Sequence, residues 1–156
     1  MTKNNVLVFG SNGLVGSSCV RILSKSSKVS NVIASTRNDT DLFSFEKTKQ
    51  KIITSKPDVV IIAAAKVGGI HANNSYPAEF LLENLKIQSN VIENAWKNGV
   101  RRLLFLGSSC IYPKLCSQPI KEENLLVECL VTIQSDLIGK SLKETNFRGR
   151  FGSFVL

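Results

Sequence analysis

Apolar residues in this chain come in short continuous runs near the start and middle, and at helical spacing between them. Residues 5–9 (Asn5-Val6-Leu7-Val8-Phe9) form an apolar run closed by a turn signal, the pattern of a buried strand. After a glycine-rich turn, Val15, Cys19, Ile22 and Leu23 recur at i, i+4, i+7 and i+8, which predicts a helix. A second strand is predicted at residues 31–36 and a charged helix at 45–54. Pro57-Asp58 then opens a third strand at 59–63, and Val67-Gly68-Gly69-Ile70 reads as a loop. Pro77, a favoured first-turn residue, starts a long helix running to about residue 98, and Gly99 ends it. Leu81, Leu85, Ile92 and Trp96 fall on one face of that helix. A fourth strand is predicted at 102–106.

Alternating strands and helices predict a parallel sheet with crossover helices. The expected fold class is α/β, a partial Rossmann-type doubly wound parallel sheet that lacks its later strands and a substrate domain. The expected division is a dinucleotide-binding domain over residues 1–126 and a divergent tail over 127–156. In that tail the segment 127–131 is apolar but short, and 141–150 is polar.

Composition narrows the class. At 156 residues, 43% of them hydrophobic, the chain suits one soluble globular domain. The longest apolar run, residues 59–65, has seven residues, too short to span a bilayer, and no secretory signal is visible. No membrane association is expected. The four cysteines (Cys19, Cys110, Cys116, Cys129) show no C-x-x-C spacing and His71 is the lone histidine, so neither zinc nor a disulfide framework is expected. The thiols are read as reduced and the location as cytoplasmic.

The net charge of +8 is uneven: residues 1–120 hold 15 Lys/Arg against 7 Asp/Glu, and residues 121–156 hold 5 of each. Lys47, Lys49, Lys51 and Lys56 read as a solvated helix face. No aromatics alternate with them as a base-stacking platform requires, so nucleic acid is not expected as a partner.

Two places carry candidate chemistry. Gly10, Gly13 and Gly16 form G-x-x-G-x-x-G between a strand and a helix. The first permits a tight turn, the second lets backbone approach a pyrophosphate, and the third lets helix and strand pack closely. The helix N-terminus adds N–H donors. The alternative is a purely structural turn. At the end of the second strand, where NAD binders place an acid, stand Ser35-Thr36-Arg37-Asn38. Arg37 can pair with a 2′-phosphate, which points to NADP; the alternative is an exposed arginine in a polar loop. The second place is the strand end Leu106-Gly107-Ser108-Ser109-Cys110-Ile111-Tyr112-Pro113-Lys114, where an open α/β sheet puts its chemistry. Ser108 could instead cap a strand end, and Cys110 could be a small buried residue.

The glycine motif resembles that of GDP-L-fucose synthase, an extended short-chain dehydrogenase/reductase. So do Ala63-Ala64-Ala65-Lys66-Val67-Gly68-Gly69-Ile70, Ala72-Asn73-Asn74-Ser75-Tyr76-Pro77-Ala78-Glu79-Phe80 and Gly107-Ser108-Ser109-Cys110-Ile111-Tyr112-Pro113-Lys114. The resemblance runs from about residue 6 to residue 126. It implies an NADP-dependent oxidoreductase and isomerase that epimerises C3 and C5 of GDP-4-keto-6-deoxy-mannose and then reduces the C4 ketone with NADPH. It implies that Ser108 hydrogen-bonds the keto oxygen and that Cys110 is the epimerising thiol. Gly10, Ser11, Asn12, Gly13, Leu14, Val15 and Gly16 match the pyrophosphate loop. Arg37, Asn38, Asp39, Thr40, Asp41 and Leu42 match the adenosine-phosphate region, and Leu106, Gly107, Ser108 and Ser109 the loop beside the nicotinamide ribose. A GDP-sugar substrate and a homodimer are implied as partners.

The chain departs from that pattern after residue 126. Neither tyrosine has a lysine four residues on: Tyr76 is followed by Phe80 and Tyr112 by Cys116. Asp136-Leu137-Ile138-Gly139-Lys140 keeps the Tyr-x-x-x-Lys spacing with an aspartate at the tyrosine position, and is read as a chance match. An ionised carboxylate there would repel developing charge on a substrate oxygen instead of protonating it. The expectation is therefore a truncated synthase that does not turn over alone. The rival readings are a non-catalytic NADP-binding module or degenerate remnant, and a basic interaction protein that uses the lysine-rich helix on nucleic acid. An interruption of the gene near codon 126 is a hypothesis that the downstream DNA, read in all forward frames, tests.

Overall fold

The computed structural model describes residues 3–107. Four strands and four helices follow in the order β1 (Asn4–Phe9), α1 (Leu14–Leu23), β2 (Val29–Ser35), α2 (Phe45–Ser55), β3 (Val59–Ile62), α3 (Ile70–Ser75), α4 (Pro77–Lys97) and β4 (Arg102–Phe105). All pairings are parallel and the order is β2-β1-β3-β4. The expected Rossmann-type parallel sheet is what these residues form. The chain leaves β1 to one side for β2 and returns to the other for β3. In open α/β sheets that reversal is where ligands bind, outside the C-terminal ends of the two strands, here β1 and β3.

At β1 the sheet is covered on both faces, which is why that strand reads as a continuous apolar run. Leu7 and Phe9 point into a core shared with Val60, Ile62, α2 (Ile52) and α4 (Ile87, Val91, Ala95). Val6 and Val8 point the other way, toward Ile61 and α1 through Cys19, Val20 and Leu23. Leu7 is fully buried, so truncating it to Ala costs about 2–5 kcal/mol.

Local signals set the helix ends. The Ser44 hydroxyl caps α2 by accepting from Lys47 N–H at 3.3 Å. Pro77 opens α4, and its ring disfavours helical backbone at Tyr76, which sits at φ −131°, ψ 50°. That is why α3 stops at Ser75 instead of merging with α4. Sequence periodicity predicts no α3 and reads its first residue, Ile70, as loop. Six residues with none buried leave no apolar stripe to detect.

The α4 face carrying Leu81, Leu85, Ile92 and Trp96 is exposed, with Leu81 at 61% and Trp96 at 58%. The face on the sheet is Phe80, Ile87, Val91, Asn94 and Ala95. Asparagines fix the helix in place: Asn90 Nδ2 donates to Leu42 C=O at 2.8 Å and Asn94 Nδ2 to Phe45 C=O at 3.2 Å. At the far end of the sheet, Asp58 accepts from Asn5 N–H at 2.8 Å and from Arg101 Nη2 at 3.0 Å.

Among the described residues, no helix is long and apolar enough to cross a membrane. Lys47 pairs with Asp41 at 3.8 Å and Lys49 with Glu46 at 3.7 Å along the exposed side of α2.

Candidate functional site: the loops at the strand ends

The turn after β1 is built around close backbone approach. Gly10 has φ +76° and lies so near the end of β3 that a Cβ would sit 2.5 Å from Ala63 O. Gly16, in the first turn of α1, lies against Gly10: its Cβ would come within 2.0 Å of Gly10 O. Only glycine fits either place without moving backbone.

The hydrogen bonds of this loop divide its N–H groups into two sets. Gly10 N–H and Ser11 N–H both donate to Ser35 C=O, at 2.9 and 3.1 Å, and Gly13 N–H donates to Gly10 C=O at 3.0 Å. These three hold the loop's shape. The N–H groups of Asn12, Leu14, Val15 and Gly16 have no acceptor among the described residues. Gly13, at the N-cap of α1, offers no side chain to cap them. Several free donors at the positive end of a helix, in an exposed loop, fit a pyrophosphate.

Ser35 joins this loop to the one after β2. Its carbonyl holds Gly10 and Ser11, and its hydroxyl, fully buried, donates to Thr40 Oγ1 at 3.0 Å. Residues 36–39 form a turn, with Asp39 N–H donating to Thr36 C=O at 3.2 Å. Arg37 and Asn38 stand exposed at its apex. The Arg37 guanidinium lies 5.7 Å from the centre of the Phe43 ring. A cation stacked on an aromatic face at the end of β2 fits a 2′-phosphate beside an adenosine.

The other residues assigned to this region have neighbours inside the protein. Thr40 is buried against Ser35, and Leu42 packs on the core. Asp41 Oδ1 accepts from Phe43 N–H at 3.0 Å. Asp39 turns its carboxylate back onto Thr36, accepting from its N–H at 2.8 Å and its hydroxyl at 2.6 Å. The Thr36 hydroxyl and then the Thr36 N–H hold the Asp39 carboxyl below the ordinary carboxylate range.

A third loop follows β3. Asn84 of α4 grips its main chain, taking Lys66 N–H on Oδ1 at 2.7 Å and giving Nδ2–H to Lys66 C=O at 3.1 Å. Lys66 Nζ pairs with Glu83 at 2.6 Å and lies 5.4 Å from the Phe80 ring centre. Sequence reading gave no role to Asn84 or Lys66, since a contact between residues 18 apart leaves no local signature. After β4, Leu106 and Gly107 continue as an exposed loop. Ser108, Ser109 and Cys110 lie outside the described residues.

Residues 6–132 match the NAD dependent epimerase/dehydratase family. The chain belongs to that family. It is 53% identical over 121 residues to putative GDP-L-fucose synthase 2 of Arabidopsis thaliana, a match covering 78% of this chain and 37% of that protein. A solved GDP-mannoheptose C4 reductase from Campylobacter jejuni with NADP bound superposes with a TM-score of 0.72 at 34% identity, over 81% of this chain and 40% of that one. A GDP-L-fucose synthetase from Naegleria fowleri bound to NADP gives 0.69 at 29% identity, over 81% and 41%. This chain thus spans about two fifths of the length of such relatives. The family match includes the positions of Ser108, Ser109 and Cys110.

Proposed function

We propose that this chain carries the cofactor-binding part of an NADP-dependent GDP-L-fucose synthase, cytoplasmic, with the dinucleotide-binding domain over residues 1–126. The observation that supports it is the pairing of a phosphate loop with free N–H donors and an exposed Arg37 on a turn that Ser35 ties to that loop. Asn12, Leu14, Val15 and Gly16 would hold the pyrophosphate through main-chain N–H groups, and Arg37 would pair with the 2′-phosphate. NADPH, when bound, would supply the hydride that reduces a C4 ketone on GDP-4-keto-6-deoxy-mannose. Ser108 would donate a hydrogen bond to that keto oxygen and Cys110 would exchange protons at the acidified neighbouring carbons.

The chain would pair with a second copy through the exposed apolar face of α4 around Leu85 and Trp96. Sedimentation of Leu85→Glu against the wild type tests this, and equal sedimentation would end it.

The cofactor reading is tested by titrating the 156-residue chain with NADPH and NADH. NADPH should bind more tightly. Arg37→Ala should weaken NADPH roughly 10–100-fold, the equivalent of a charge-assisted contact of about 1.5–3 kcal/mol, and leave NADH within about twofold. Absence of binding, or a preference that Arg37→Ala does not touch, overturns it. A second reading, a cofactor-binding module without turnover, is favoured by Tyr76 and Tyr112 both lacking a lysine four residues on. NADPH binding with no consumption of the keto-sugar would select it.

A further inference from the structure

An acid near the end of the second strand commonly receives ribose hydroxyls in a dinucleotide fold. Asp39 stands near that place, yet its Oδ2 is used inside the protein, by Thr36 N–H at 2.8 Å and Thr36 Oγ1–H at 2.6 Å. Two main-chain bonds close the same turn, Asp39 N–H to Thr36 C=O at 3.2 Å and Thr40 N–H to Thr36 C=O at 3.1 Å. The turn is anchored at both ends. On one side Ser35 takes Gly10 N–H and Ser11 N–H on its carbonyl; on the other the buried Ser35 hydroxyl meets Thr40. The residues left at the apex are Arg37 and Asn38, both exposed.

We infer that Asp39 is a positioning residue for cofactor choice: its carboxylate clasps Thr36 and so fixes the turn that presents Arg37 to a 2′-phosphate. The inference rests on the NADP reading above and assigns a part of it to a residue that touches no ligand. A flexible arginine on a free loop loses rotamer and backbone freedom on binding, and a fixed turn has lost the backbone part already. A carboxylate close to the phosphate would do the opposite, since like charges repel. The two roles therefore predict opposite signs when Asp39 is replaced by alanine.

The experiment titrates NADPH and NADH into the full chain as wild type, Asp39→Ala, Asp39→Asn and Thr36→Val, with circular dichroism to confirm folding. Asp39→Ala removes the acceptor and should weaken NADPH about tenfold while NADH stays within about twofold. Asp39→Asn keeps an oxygen that both Thr36 donors can reach, and should restore the preference to within about threefold of wild type. Thr36→Val keeps the N–H and loses the hydroxyl, and should fall between them. An Asp39→Ala or Asp39→Asn chain that binds NADPH more tightly relative to NADH would overturn the inference, because the carboxylate would then face the ligand. A preference unchanged in Asp39→Ala but abolished in Arg37→Ala would sink the clasp alone. A wild type with no NADPH preference would sink the cofactor reading and the clasp with it.

Discussion

The side chain of Asn84 meets both main-chain polar groups of Lys66, accepting from its N–H at 2.7 Å and donating to its C=O at 3.1 Å. One amide thus fastens the loop after β3 to α4, and no other amino acid of that length offers one donor and one acceptor in that geometry. Asn84→Leu leaves both half-buried groups of Lys66 unpaired and should cost about 1–3 kcal/mol in urea unfolding. Asn84→Asp retains an acceptor for the N–H but cannot donate to the carbonyl when ionised, and should lose much of the same. Lys66→Met removes the ion pair with Glu83, whose partners are about one-third exposed, and the cation's contact with the Phe80 ring, but leaves the Asn84 clamp, and should cost about 1 kcal/mol. Equal midpoints for Asn84→Leu and the wild type would remove the clamp from the account.

Alanine at the three motif glycines should rank by what its Cβ meets. At Gly16 that is Gly10 O at 2.0 Å and at Gly10 it is Ala63 O at 2.5 Å, both backbone, whereas at Gly13 the neighbour is 3.3 Å away. Gly10 also has φ +76°. Gly10→Ala and Gly16→Ala should each cost roughly 1–3 kcal/mol or more, with NADPH affinity falling at least about tenfold because the free N–H groups are displaced. Gly13→Ala should stay within about 1 kcal/mol. A Gly16→Ala chain that melts with the wild type would show that the loop is looser than its contacts require.

Lys56 closes α2 in the left-handed region, at φ 43°, ψ 55°. A Cβ there costs roughly 1 kcal/mol, and glycine is the residue helices commonly use at such a stop. Lys56→Gly should therefore raise the unfolding free energy by about 0.5–1 kcal/mol, less what glycine adds to the freedom of the unfolded chain. Urea denaturation of the two chains checks it, and a lower midpoint for Lys56→Gly would mean the strain is not released.

The four strands and the long helix were legible because each carries its own periodicity, closed by Gly10, Pro57, Pro77 or Gly99. The phosphate loop was legible because its glycines sit between a strand and a helix. The side of α4 that docks was not. Phe80, Ile87, Val91 and Ala95 make one apolar row and Leu81, Leu85, Ile92 and Trp96 another. Only the sheet decides which row is covered. The same holds for contacts made at long range: Asn90 to Leu42 and Asn94 to Phe45 join residues 48 and 49 apart, and hydrogen-bonding side chains on a helix face read like any solvated ones. Within the adenosine region, Arg37 was legible by charge and place, whereas the inward role of Thr40 depends on Ser35 lying opposite it.

The Asp39 carboxylate is held below the ordinary range by the Thr36 hydroxyl first, then the Thr36 N–H, with the charge of Lys51 acting in the same direction. A group whose folded pKa is depressed adds stability that is present above its unfolded value, about 3.9 for an aspartate, and is lost as pH falls through the folded value. The side chain is exposed, so solvent screening keeps the contribution small. Asp39→Asn supplies the reference, because an amide does not titrate and every other carboxylate is common to both chains. The wild type should unfold at a slightly higher urea concentration than Asp39→Asn, by a margin that is flat from about pH 7 to pH 5. The margin should shrink below about pH 4 and close once the carboxyl is protonated. A margin that widens on acidification would mean a raised folded pKa, and would contradict the two hydrogen bonds to Thr36.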